Sequence, residues 1–413
     1  MTQKVKKRNY FCTVKRIKGI LKHYFALAAV FVAMHVGHVY AQAPHYSTDS
    51  LVVSLLTCSP HDEIYSLYGH TAIRVNNMYT GQDWVFNYGV FSFSKPFFAL
   101  RFAVGLTDYE LGVIPFEIFK REYKRFGSQV TEQVINLSME EKLQLMMALD
   151  DNYRPANRVY RYNFFYTNCT TRARDIIERN ISGKVIYSDD SKKEMTLREM
   201  VGQCTAGHPW ATFGNDLCLG FLADRKTSSR QQQFLPLNLM ADFSRAQIYE
   251  AGQYRPLVAQ HNIAVMPGVQ FTTEAFPLRP MHCFAILASL IVILTAIGTY
   301  KSRHFMVIDI ILFGLAGFAG IFMTALFFSL HPTTSSNLQF LLLNPLHIAT
   351  MVMAIRKKAG IKTWWTVTIS IVLFFLGAAI QNYAEGITLL AIAMLLRSTV
   401  NLRFAYKKNS KHT

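Results

Sequence analysis

Acidic residues are almost missing from both ends of this 413-residue chain. Residues 1–43 hold eight Lys/Arg and no Asp or Glu, and from Pro280 onward eleven Lys/Arg face only Asp309 and Glu385. Residues 44–279 carry 24 basic and 24 acidic side chains, so the formal net charge of +17 belongs to the flanks. That removes the main support for nucleic-acid binding, which needs a basic face on a folded domain. The flanking charges are interleaved with apolar segments, as in a membrane protein with Lys/Arg on its cytoplasmic side. A glycine-rich phosphate loop is also missing, which removes a nucleotide cradle. The external histidines (His45, His61, His70, His208, His261) lack ligand spacing, so the sequence implies no metal and no cofactor. What remains is enough chain for one or two domains with a real core.

Lys4, Lys6, Lys7, Arg8, Lys15, Arg16, Lys18 and Lys22 precede an apolar run from Tyr24 to about Val39 and then "VYAQA", with small Ala41. Residues 1–41 read as a secretory signal peptide or an uncleaved anchor. Either places 44–279 in the periplasm. Five apolar segments follow: 283–298, 305–330, 338–355 with a kink expected at Asn344-Pro345, 364–380 and 387–396. The last needs flanking residues to reach the ~20 that cross a bilayer. Residues 281–402 then form an all-α transmembrane bundle of about five helices, and 403–413 a basic cytoplasmic tail. The basic connectors 301–304 and 356–362 fall inside with the tail, and 331–336 and 381–386 fall outside. The expectation is a multi-pass bacterial inner-membrane protein. Asp309, about one turn into the second segment, reads as a helix-dipole partner.

Six cysteines are present: Cys12 in the leader, Cys283 in the first span, and Cys58, Cys169, Cys204 and Cys218 outside, where exposed thiols oxidise. Four cysteines allow three full pairings. A Cys204–Cys218 bridge is easy on sequence distance and leaves Cys58 and Cys169 free. A free thiol in that compartment is either well buried or catalytic.

Within 44–279 the pattern is α+β. Residues 71–75 read as a strand, "NNMYTGQD" as a turn and "WVFNYGVF" as the returning strand. His70 opens the first strand and Asn87 sits within reach on its neighbour. "SMEEKLQLMMALDDN" (138–152) is a helix opened by a Ser138/Glu141 capping box. Residues 158–168 alternate, with Tyr160, Tyr162, Phe164 and Tyr166 on one side, and a helical pattern follows Asn168-Cys169-Thr170. A thiol at a helix N-terminus is stabilised as thiolate by the dipole and the free N–H groups. The same groups can hold an oxyanion. His70 is the candidate base, and Asn87 the candidate group that orients it. Asn168, Thr170 and Arg172 are candidate oxyanion or supporting residues. Tyr68, Tyr88, His331 and Asn337 are candidate substrate contacts.

"YGHTAIRV", "NYGVFSF" and "YRYNFFYTNCTTRARD" resemble the periplasmic domain of the Lnb lipoprotein N-acyltransferases. "TLREM", "PWATFGNDLCLGFLADR", "QQFLPLNLM" and "HPTTSSNLQFLLLNPLHI" extend the likeness, in order, over about residues 50–400. More distantly, a His before an "NC" at a helix start resembles the circularly permuted papain-like (NlpC-type) fold shared by lecithin:retinol acyltransferase. The resemblance implies Cys169 as nucleophile, His70 as base and Asn87 in a third position that varies. It implies a phospholipid acyl donor and, as acceptor, the N-terminal amine of a diacylglyceryl-lipoprotein. The residues alone leave two alternatives: a membrane-anchored cysteine hydrolase of cell-wall peptides or phospholipids, and a non-enzymatic binding module on a membrane bundle.

Overall fold

A computed structural model describes residues 50–91, 96–188, 194–270 and 276–410; the expected signal segment and the last tail residues lie outside them. The external part is built on a seven-stranded antiparallel sheet. Its strands are β1 (Leu51–Cys58), β2 (His70–Asn77), β3 (Gln82–Val90), β4 (Asp108–Pro115), β5 (Val130–Ile135), β6 (Val159–Arg161) and β10 (Val258–Val265). Their order is β10-β5-β1-β2-β3-β4-β6. A smaller sheet pairs β7 (Lys184–Ile186), β8 (Gln247–Glu250) and β9 (Gln253–Pro256). β1, "LVVSLLTC", is apolar almost throughout and buried on both faces, as an interior strand requires.

The external helices are α1 (Phe98–Ala103), α2 (Phe116–Arg125), α3 (Met139–Tyr153), α4 (Cys169–Arg179), α5 (Leu197–Cys204), α6 (Pro209–Cys218) and α7 (Pro236–Arg245). α2 covers one face of the large sheet: Phe116 and Phe119 pack with Leu56, Ala72, Val85 and Val130. α4 covers the other, because its Thr170 bonds Thr71, and neighbouring strand residues point to opposite faces. The β2–β3 turn forms where expected. Asn77 Oδ1 accepts the N–H groups of Tyr79 and Thr80, and Gly81 takes a left-handed φ of 72°. The Ser138/Glu141 capping box opens α3 as read.

The aromatic run before Cys169 differs from expectation. β6 stops at Arg161. Asn163 Oδ1 accepts the Phe165 N–H, and Thr167 N–H bonds back to Asn163 O. This Asx turn breaks the alternation and delivers Asn168 to the start of α4.

The C-terminal part is helical: α8 (Pro280–Tyr300), α9 (Met306–Phe327), α10 (Leu346–Ile355), α11 (Ile361–Gly377) and α12 (Ile387–Asn409). Among the described residues, four stretches have the length and composition of a membrane span: 280–300, 306–327, 338–355 and 387–409. α11, at 17 residues, is a shorter apolar helix. The break at Asn344-Pro345 is present, with a short 3₁₀ turn before it. The broken segment packs against a small-residue stripe on α9: side chains at Gly314, Gly317 or Gly320 would strike Met351, Ile348 or the Asn344 backbone. The last segment is longer than expected. Arg397 and Asn401 are buried, so the helix continues through polar residues to Asn409.

Asp309 is more than a dipole partner. It is fully buried and holds Arg397 in a two-pronged pair, Nε–Oδ1 2.9 Å and Nη2–Oδ2 2.8 Å.

Candidate active site

The local fold brings His70, Asn87 and Cys169 to one end of the β2–β3 pair. Register places Phe86 opposite Ile73, which sets Asn87 opposite Ala72 and diagonal to His70. His70 Nε2–H donates to Asn87 Oδ1 at 2.6 Å, which leaves Nδ1 for the thiol.

Cys169 is the first residue of α4 and is half-buried. Asn168 fixes that start. Its Oδ1 accepts from Thr170 and Thr171 N–H, its Nδ2 donates to Phe164 O and Phe234 O, and its own N–H donates to Thr171 Oγ1. Its side-chain amide is therefore fully used in capping and has no donor for an oxyanion. The Cys169 N–H, at the positive end of the helix, is the one that Asn168 leaves uncapped. The Thr170 hydroxyl lies 3.8 Å from Cys169 Sγ and 3.1 Å from Thr71 Oγ1, tying the helix start to β2.

Burial pushes the Cys169 thiol up, but His70 through its charge and hydrogen bond, the Thr71 backbone and the Thr170 hydroxyl outweigh this and bring it to about 7. Burial lowers the His70 pKa, yet the Cys169 charge and hydrogen bond, and then Asn87, raise it above its ordinary value. Each partner favours the charged form of the other, which is the electrostatic condition of a thiolate–imidazolium pair. Cys58, paired with His70 across β1–β2, contrasts with this: burial holds its thiol far above the ordinary range.

Sequence reading missed Gly89. It interrupts the β3–β4 register and has φ +107°, and a side chain there would begin 3.6 Å from both Cys169 Cβ and His70 Cε1. An isolated glycine inside a strand pattern is the available signal for such close approach. Gly89→Ala is expected to destabilise the domain by about 1–3 kcal/mol through backbone strain. It should also slow Cys169 alkylation at neutral pH, because relief of the strained φ of +107° shifts the backbone that faces thiol and imidazole. Thermal unfolding and iodoacetamide kinetics check both; a full-rate thiol would remove Gly89 from the site.

Other expected site residues have different work. The Arg172 guanidinium stacks over Tyr160 (4.6 Å) and Tyr88 (5.4 Å). Tyr88 is buried and its hydroxyl donates to Asn152, while the Tyr68 hydroxyl accepts from Asn215. His331 and Asn337 are buried and join the two parts of the protein. His331 Nε2 meets Phe102 O at 3.0 Å, and Asn337 Nδ2 donates to Leu217 O at 2.8 Å.

The expected Cys204–Cys218 bridge is not formed; both are free thiols. Cys204 packs with Leu197, Met200 and Val201, whereas Cys218 packs against the core of the helical bundle. Their short separation along the chain therefore ends in two different apolar environments, each raising its thiol to about 11.

Two family models match the chain. The Lnb N-terminal periplasmic domain covers residues 41–203, and the Lnb transmembrane domain covers residues 271–409. Neither curated proteins nor solved structures match it. The first match spans His70, Asn87, Cys169 and most of the large sheet; the second spans all of α8–α12. Matched in order over more than half its length, the chain belongs to the Lnb family, as a multi-pass inner-membrane protein with its N-terminal domain in the periplasm.

Proposed function

We propose that this protein is a cysteine acyltransferase that moves an acyl chain from a phospholipid to the N-terminal amine of diacylglyceryl-lipoproteins. The observation that carries this reading is the Cys169 thiol at a helix N-terminus, lowered to about 7 beside a His70 held by Asn87. It lies in a domain joined to a membrane bundle, and both substrates are lipids of that membrane. The Lnb family supplies the acceptor. The antiparallel sheet with a histidine at its edge and a cysteine-headed helix packed across it is consistent with a permuted papain-like fold.

The Cys169 thiolate attacks an ester carbonyl of the phospholipid. A C–S bond forms, and the tetrahedral oxyanion is held by the Cys169 N–H at the start of α4. The ester C–O bond then breaks, and His70 gives its proton to the departing lysophospholipid oxygen. The lipoprotein α-amine attacks the thioester next. His70 takes its proton, a C–N bond forms, the C–S bond breaks and the thiolate returns. Asn87 keeps the imidazole in the tautomer that both half-reactions need. With α11 also crossing the bilayer, five helices put the basic C-terminal tail in the cytoplasm.

The reading is tested by incubating the full chain with phospholipid and no acceptor. Intact mass should rise by one acyl group, removable by hydroxylamine and mapped to Cys169. Adding a diacylated lipopeptide should discharge it as N-acyl product. A chain that N-acylates lipopeptide without ever carrying acyl on Cys169 would overturn the mechanism. Discharge to water alone would move the protein to the hydrolases.

A further inference from the structure

Beside the contact of Phe213 with Phe284, two seams between the external part and the bundle differ in character. One is polar and closed. Gln339 and Gln381 donate to backbone carbonyls of 216–219, and Arg198 pairs with Asp216 and Asp224 beside them. The other is apolar and open. Leu330 N–H donates to Val104 O at 3.0 Å, and Ser329 Oγ donates to Ala103 O at 2.8 Å. A Cβ added to Gly105 would lie 2.9 Å from Leu330 Cβ, so the two segments are in direct contact. This seam fixes residues 97–106 at the end of α9, one of the candidate spans.

Around it Phe97, Leu100, Leu106, Phe328 and Leu330 are exposed, Phe97 by 78% and Phe328 by 81%. Residues 97–107 hold no acid and a single base, Arg101. Phe97 has a φ of 56°, a left-handed conformation that bulky residues rarely adopt. Water gives no reason to hold an aromatic ring outward in that conformation. A hydrocarbon phase does, and the patch continues the outward apolar face of α9 (Leu315, Phe318, Ile321). Behind it runs a row of rings: Phe98 to Phe91 at 5.4 Å, Phe91 to Tyr109 at 4.8 Å and Tyr109 to Tyr162 at 4.0 Å. The row reaches the site through Phe91, which is two residues along the chain from Gly89, where a Cβ would lie 3.6 Å from Cys169 Cβ.

We propose that residues 97–106, with Phe328 and Leu330, are seated in the outer leaflet of the bilayer, and that the ring row behind them leads an acyl chain to Cys169. The seating rests on the surface alone; the path rests on the acyl-transfer reading above. The partner is the phospholipid bilayer itself.

The test places p-benzoylphenylalanine at position 97 or 328 of the full chain carrying Cys169→Ala. The protein is held in phosphatidylethanolamine/phosphatidylglycerol nanodiscs with a labelled phospholipid. Irradiation should give lipid adducts at 97 and 328 about fivefold above those at position 79. Tyr79 is an equally exposed ring on the β2–β3 turn. Equal labelling at 97 and 79, or adducts to a second copy of the chain in place of lipid, overturns the seating. No thiol chemistry is involved, so this arm stands whatever Cys169 does.

The second arm uses Phe97→Asp/Leu100→Asp with Cys169 intact. Acyl loading from vesicle phospholipid should fall about tenfold, while alkylation of Cys169 by iodoacetamide keeps its rate. Unchanged loading overturns the path. No loading in the unsubstituted chain overturns the acyl-transfer reading and the path with it, and leaves the seating as scored.

Discussion

On the proposed mechanism, Cys169→Ala is expected to end lipoprotein N-acylation, and His70→Ala to lower it by about 10²–10⁴-fold. In a strain with no second N-acyltransferase, lipoproteins from either variant should remain diacylated by mass spectrometry; full N-acylation in Cys169→Ala would remove the thiol from the mechanism. The pH dependence separates the two residues. Thiolate forms as pH rises, so alkylation of Cys169 should climb through a midpoint of about 7. In His70→Ala the strongest lowering influence is gone and burial, the largest influence of all, pushes the other way. The midpoint should then move up, past the ordinary thiol value of 9.0. Asn87→Ala removes the bond that favours the imidazolium. His70 then titrates lower, lowers the thiol less, and leaves the midpoint between the other two. A midpoint that stays near neutrality without His70 would show that something else activates Cys169.

The parts of this site legible in the sequence were those set by short-range chemistry. Asn77 and Gly81 make a tight turn wherever they are found, so the β2–β3 pair could be drawn and His70 placed near Asn87. Asn168 caps by itself the helix that Cys169 begins, and the donor–acceptor pattern of "NCTT" announces it. The approach of Cys169 to His70 was not readable, because it depends on α4 crossing β2 and β3 from almost a hundred residues away. Gly89, whose φ of +107° shapes the backbone that faces both groups, reads in sequence as one more glycine.

The same limit operated elsewhere. Short spacing suggested a Cys204–Cys218 bridge, but the helices ending in those residues bury them in separate cores. His331 and Asn337, in an external loop, were read as residues that could contact a substrate; hydrogen bonds to Phe102 and Leu217 make them links between the domain and the bundle. In both cases the work of a side chain depends on partners that the sequence does not name.

In the bundle the missing partner was Arg397, 88 residues from Asp309. Arg397 also donates to Thr295 Oγ1 and Phe305 O, and both members of the pair are almost inaccessible, with 3% and 0% of their side chains exposed. Arg397→Met therefore leaves a carboxylate buried inside an apolar bundle. It is expected to cost about 3–5 kcal/mol, far more than the attraction itself contributes, because the buried charge keeps only His304, 3.6 Å from Oδ2, and no solvent. Asp309→Leu strands the guanidinium and should cost a similar amount. Combining the two removes both charges and should recover most of the loss, since a buried pair replaced by apolar side chains of similar volume is often near neutral. Heating the detergent-solubilised protein and measuring the monodisperse fraction gives the four corners of the cycle. A double variant no more stable than the worse single would mean that the pair is not coupled. Below the melting transition, all four proteins should alkylate Cys169 with the same pH midpoint, because the ion pair supports the bundle and not the thiol.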